Sequence, residues 1–214
     1  MPLTPNLALP YPVGSDTADV PRDIKALADK LDPLVATKAD FATVGLSFIA
    51  DLNLAADTAN FNFTAIPQTF SHLLLTHSAR STAVADTVPL NLQCNGDTTA
   101  SYYTQLLRGN NNAASVSAGL AGTGAQISGI PAANAASGVD TFGAGMLLIP
   151  NYVSSTYKLM LSLAGIVTGG AAATMWIDVT TVLYFKTAAI NRLTLFPGSG
   201  AMRTRSRATL YGLK

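Results

Sequence analysis

The chain has 214 residues, a formal net charge of +1, 49% hydrophobic residues and only 12% charged ones. That is about half the ~25% charge of an ordinary soluble domain, which points to a surface largely covered by neighbouring subunits. Near-neutrality also excludes a general nucleic-acid binder, which needs a basic surface. All twelve acidic residues are Asp. Glu favours helix interiors whereas Asp favours turns and caps, so the composition points away from a helical protein. The length suits one large domain, or a small element plus one domain, with a core of its own.

Residues 1–20 read as an extended arm. Prolines at 2, 5, 10 and 12 exclude a helical period and a strand interior. Such a segment orders only against a neighbour, with Leu3, Pro5, Leu7, Leu9, Pro10, Tyr11 and Pro12 as its expected anchoring contacts. Residues 21–45 read as a short helix and a linker. Pro21 suits the first helical position, and Asp19 and Asp23 suit the positive end of the helix dipole. Ile24, Leu27, Leu31 and Leu34 follow the spacing of a coiled-coil seam, and Pro33 stops the helix near Asp32. A helix of about 12 residues is too short to stand alone in water. Its apolar stripe docks either on its own domain or on copies of itself.

From residue 46 the period becomes that of strands. Strands are expected at 46–54, 60–65, 72–77, 88–93, 101–107, 146–149, 157–166, 174–185, 192–196 and 205–211. Turn signals include Asn95-Gly96-Asp97, Thr168-Gly169-Gly170 and Pro197-Gly198-Ser199-Gly200. Their number and spacing predict a mainly β protein, with a jelly-roll-like antiparallel β-sandwich over 46–214. No βαβ rhythm is present, which argues against a nucleotide-binding α/β fold. Segment 109–139 carries no charge and is built mostly from Asn, Ala, Ser and Gly. It is either a set of weak strands or a loop that orders against another subunit.

Residues 159–177 carry no charge and imitate a membrane span. Gly165, Gly169 and Gly170, with Ser162, Thr168 and Thr174, divide them instead into two strands and a turn, so no membrane insertion is expected. The N-terminus lacks the basic and apolar regions of a secretory signal. Cys94 is the single cysteine, which allows no internal disulfide and fits assembly in a reducing cytoplasm.

Little in the chain suggests chemistry. His72 and His77 are five apart in an expected strand and so point to opposite faces, which opposes a metal site. Beyond residue 60 the only carboxylates are Asp86, Asp97, Asp140 and Asp178. Asp97 and Asp140 sit beside turn residues, and Asp178 between apolar strand residues is the one expected to be buried. No nucleophile elbow or phosphate loop is present. A non-enzymatic protein without cofactor is expected.

Two features suit binding. Arg203, Arg205 and Arg207 alternate, so in one strand they would form a basic stripe on a single face. The stripe would meet an anion or a neighbour's Asp, or serve as an edge strand that blocks pairing by charge. Tyr102 and Tyr103, near Asn110, Asn111 and Asn112, suit stacking on a sugar, although adjacent strand residues face opposite sides and one tyrosine must be core.

The opening Leu3-Thr4-Pro5-Asn6-Leu7 and Leu9-Pro10-Tyr11-Pro12, followed by Asp19-Val20-Pro21-Arg22-Asp23-Ile24, resembles the start of minor tail and fibre proteins from phages of actinobacteria. The ending Asn191-Arg192-Leu193-Thr194-Leu195-Phe196-Pro197-Gly198-Ser199-Gly200 and Ser206-Arg207-Ala208-Thr209-Leu210-Tyr211-Gly212 is similar to the last strands of such fibre-tip domains. Phe70, His72-Leu73 and Asn95-Gly96-Asp97-Thr98 resemble internal parts of the same module, while 109–139 has no counterpart. The resemblance implies a virion protein, assembled in the host cytoplasm and commonly trimeric. Its N-terminal arm would hold other tail or capsid proteins, and its β-domain would project outward toward a host-surface glycan. It also makes Ile24, Leu27 and Leu31 the trimer seam. Long repeats or collagen-like stalks are missing here, which fits a stubby spike and equally a capsid head fibre or decoration protein. A free-standing carbohydrate-binding module and a polysaccharide depolymerase tip are the alternatives from other classes.

Overall fold

Local hydrophobic alternation becomes two packed sheets. The computed structural model describes residues 45–110, 113–121, 124–134, 138, 140–168 and 175–214. The expected arm and helix, with all their anchoring and seam residues, lie outside the described residues, as do Asn111 and Asn112.

Among the described residues there are twelve strands: β1 (Leu46–Asn53), β2 (Phe61–Phe63), β3 (His72–Ala79), β4 (Thr87–Cys94), β5 (Tyr102–Asn110), β6 (Ala113–Ala121), β7 (Ala125–Pro131), β8 (Gly143–Pro150), β9 (Lys158–Val167), β10 (Met175–Tyr184), β11 (Leu193–Pro197) and β12 (Arg207–Leu213). They form an eight-stranded sheet in the order β1-β12-β3-β8-β9-β10-β5-β6 and a four-stranded sheet in the order β2-β11-β4-β7. Without β5, β6, β9 and β10, successive strands alternate between the sheets except at β4 and β7, which pair in the smaller one, giving β1-β12-β3-β8 against β2-β11-β4-β7. This is a jelly roll. The two extra hairpins, β5–β6 and β9–β10, widen one sheet beyond β8.

The core lies between the sheets. Period-2 alternation sends Leu73 and Leu75 of β3, Leu147 and Ile149 of β8 and Leu210 of β12 inward from one side. Phe61, Phe63, Leu90, Leu92, Leu193 and Leu195 meet them from the other. Each such side chain contributes about 1.5–3 kcal/mol of apolar burial. β7, at the edge of the smaller sheet, packs over β8, β9, β10 and β5. Its Ile127 and Ile130 are fully buried there, so the widened sheet has its inner face covered too.

The expected β-sandwich is therefore present, and each of the ten expected strands has a counterpart. Segment 109–139 contains all of β6 and β7, so the weak-strand reading holds for those parts. Ala, Ser and Gly have little strand propensity of their own. Pairing holds them instead, β6 with β5 from Ala113 to Ala121 and β7 with β4.

Candidate functional site

The most extensive surface feature is the outer face of the widened sheet. Residues paired across an antiparallel ladder point to the same side, so the register assembles this face row by row. One row runs Met146–Leu163–Val179–Leu107–Val116 across β8, β9, β10, β5 and β6. Its neighbours toward one end are Leu148–Leu161–Thr181–Gln105–Ala118, then Leu159–Leu183–Tyr103. The T-shaped pair Tyr157–Phe185 closes that end with ring centroids 5.7 Å apart. Toward the other end lies a row of small residues, Ala144–Gly165–Ile177–Gly109–Ala114, from which only Ile177 rises.

Leu159 (61%), Ile177 (54%), Leu161 (48%) and Val116 (74%) are all substantially exposed. Among the described residues no charged side chain occupies an outward position on these five strands. Thr181 and Gln105 are the polar ones. The small-residue row opens into a concavity of about 620 Å³ between Met146, Leu163, Met175 and Ile177.

Most of the charged groups nearby are engaged inside the fold. Asp178 is fully buried and accepts from Arg108 Nε at 2.6 Å, from its Nη2 at 2.7 Å and from the Gly129 N–H at 2.8 Å. The same guanidinium lies 4.4 Å from the centre of the Trp176 ring. Lys158, 1% exposed, shares its three N–H donors among five surrounding carbonyls: Ser154 at 2.8 Å, Thr156 at 2.6 Å, Lys186 at 3.4 Å, Thr187 at 3.1 Å and Ala188 at 3.0 Å. Burial pulls its pKa below that of an ordinary lysine. Arg80 is likewise buried and grips the 132–141 segment through Gly138 O, Thr141 O and Ala132 O at 2.7–2.8 Å. Among the carboxylates expected to be near turns, Asp97 accepts from Thr99 N at 2.9 Å and Thr99 Oγ1 at 2.6 Å. Asp140 pairs with Arg205.

Two sequence expectations need correction. Arg203, Arg205 and Arg207 do not form a stripe. β12 starts only at Arg207, and Arg205 has a left-handed φ of 68° in a turn closed by Ser206 N–H on Arg203 O. That turn breaks the alternation on which a shared face depends. Arg205 and Arg207 instead pair with Asp140 and Asp51 of the same chain. Tyr102 is not a surface contact. It is fully buried, stacks on Tyr184 at 4.9 Å and accepts from Cys94 N–H at 2.9 Å. Burial pushes its hydroxyl pKa up, as it does that of the Cys94 thiol. Tyr103 is exposed on the outer face, but Asn110 stands at the opposite end of β5. At about 3.3 Å per residue the strand holds them more than 20 Å apart, too far for one shared sugar site.

The two histidines do face opposite sides. His72 Nδ1 accepts from Asn151 N–H at 3.1 Å. His77 is buried, and neither of its ring nitrogens has a hydrogen-bond partner. Burial lowers its pKa from 6.5 to about 4. Because the folded pKa lies below the unfolded one, the unfolded chain takes up the proton first as pH falls. Stability present above pH 6.5 is therefore lost down to about pH 4. Relative to His77→Leu, the wild type is expected to lose about 3 kcal/mol between pH 7 and pH 4. Urea unfolding of both proteins across that range checks it. The guanidinium groups of Arg207 and Arg205, which hold Asp51 and Asp140 low, act in both proteins and cancel in the difference.

Among the described residues no cluster of His, Cys or Asp is placed to hold a metal ion, and no helix is long and apolar enough to cross a membrane. The outer face itself escaped the reading by motifs. Its signal lay in β9 and β10, where both sets of alternating residues are largely apolar, as in strands covered on two sides. Comparison with protein-family models, curated proteins and solved structures gives no match.

Proposed function

We propose that this chain is a non-enzymatic structural protein of a bacteriophage virion, a homotrimeric fibre or spike. Its N-terminal arm anchors it to the particle, and its jelly-roll domain projects outward toward the host surface. One observation supports self-association above all: the uncharged outer face of the widened sheet. About a dozen large apolar side chains, many of them half-exposed, offer on the order of 1,000 Å² of apolar surface, whereas the largest patch on a typical monomer is about 300–600 Å². A surface of that kind is stable in water when other copies cover it. The Pro-spaced N-terminus supports the anchoring role, and the resemblance of both ends of the chain to phage fibre proteins supports the virion setting.

Light scattering of the full chain is expected to give three times its 22.1 kDa mass, and a stable monomer would refute the fibre reading. Deletion of residues 1–33 is expected to abolish incorporation into particles, scored by electron microscopy of particles carrying a labelled chain. Normal incorporation of the shortened protein would remove the anchoring role.

A further inference from the structure

We infer that the outer face of β8, β9, β10 and β5 is covered by a second copy of this chain, and that the neighbour's β5–β6 hairpin is the part that lies on it. This rests on the homo-oligomeric reading above and adds the surfaces through which the copies meet.

Size comes first. The face offers on the order of 1,000 Å², against roughly 800 Å² per partner in an interface of standard size. Charge comes second. A face with no charged group gains nothing from a charged partner, whose desolvation would go uncompensated. The partner surface must itself be uncharged, and this molecule carries such a surface on β5 and β6. Shape comes third. The ridge Met146–Leu163–Val179–Leu107–Val116 runs beside the trough Ala144–Gly165 and Gly109–Ala114, two residues along the strands. That spacing is about 6.7 Å, so a neighbour's row of Val116 and Leu107 can seat in the trough while its own trough receives the next ridge.

The sheet edges supply an independent observation. Exposed edges invite pairing, and proteins blunt them with short strands, bulges, charges or proline. β2 has three residues. β1 carries a register shift at Phe48/Ala50 and the charged Asp51. β7 is shifted opposite Leu90/Asn91 and ends in Pro131. β6 has nine residues, no charge and no proline. Every residue from Ala113 to Gly119 is exposed, on both faces of the strand. A strand left open on two faces and one edge is protected when a neighbour wraps it. Hairpin on face is a heterologous contact, which closes into a ring when the rotation between copies returns to the first.

The test uses the full chain and thiol reactivity, because native Cys94 is buried and silent. Leu161→Cys and Val116→Cys place thiols on the face and on β6, and Val84→Cys places one in an exposed loop. In the assembled protein the first two are expected to react with a water-soluble disulfide reagent at least about tenfold more slowly than the third, as in a packed interface core. Equal rates in a protein that light scattering shows to be oligomeric overturn the inference and leave the fibre reading standing. A monomeric wild type overturns both. Protection that appears only in intact particles assigns the face to a different virion protein and also overturns it. Thr181→Arg provides a second arm. Position 181 is already polar and partly exposed, so the fold tolerates the change while an apposed copy does not. It is expected to release the protection at positions 161 and 116, and unchanged protection counts against the interface.

Discussion

Replacing Lys158 by Met is expected to remove roughly 2–4 kcal/mol of stability, because it leaves several carbonyls without their shared donor. An ammonium in water is strongly hydrated, and burying it is tolerable only when oxygen atoms replace that shell. Here the shell comes from two separate segments. Ser154 O and Thr156 O belong to the turn before β9, and Lys186 O, Thr187 O and Ala188 O belong to the segment after β10. One side chain thus ties both ends of the β9–β10 hairpin together at the end where Tyr157 meets Phe185. Met retains the stem and much of the volume, so a cavity contributes little to the loss. Lys158→Arg is expected to fail as a rescue, since a planar fork cannot reach five converging oxygens. Thermal unfolding checks both, with a fall of about 5 °C or more for Lys158→Met. A midpoint within the error of the wild type would mean that the carbonyl cage contributes nothing to folding.

The second large effect is expected at the Arg108–Asp178 pair. Arg108→Met leaves a fully buried carboxylate with only the Gly129 N–H, and such a broken pair typically costs about 3–5 kcal/mol. Asp178→Asn keeps the shape and one acceptor, so its cost is smaller, about 1–2 kcal/mol. Arg108→Met/Asp178→Leu is expected to recover only part of the loss, since an apolar pair needs no compensating charge but leaves the Gly129 N–H without its acceptor. A double-mutant cycle in urea, closed by Asp178→Leu alone, reads the coupling directly. Additive losses, with no recovery in the double variant, would show that the two groups act independently. The pair holds more than a local contact. Arg108 and Asp178 are directly opposite in the β5–β10 ladder, and the carboxylate also binds the backbone of β7 in the other sheet. It therefore fixes the register of an inserted hairpin and fastens the widened sheet to its cover.

These two sites differ in how visible they were beforehand. Asp178 stood out as a lone carboxylate among apolar strand residues, which marked it for burial. Its partner did not stand out, because Arg108 lies 70 positions away and only the ladder brings the two together. Lys158 looked like an ordinary strand-end lysine, since nothing local shows that five carbonyls will converge on it. The arginine stripe failed for the opposite reason. Alternation in sequence was real, but a left-handed residue at Arg205 interrupted the strand that would have given it meaning.

The sequence by itself determined the class of the described domain. Short alternating runs, turn residues between them and the absence of Glu pointed to an antiparallel β-sandwich, because side-chain period and turn chemistry are local properties. It also marked Tyr102 or Tyr103 as core by simple alternation. Only the tertiary structure decided that Ala113–Ala121 is a strand, since pairing with β5 supplies what Ala, Ser and Gly lack in propensity. Only the sheet order decided where the apolar residues of β8, β9, β10 and β5 gather. Strand alternation states that a residue faces one of two sides, but which side meets the second sheet, and which is left open, depends on partners far away in the chain.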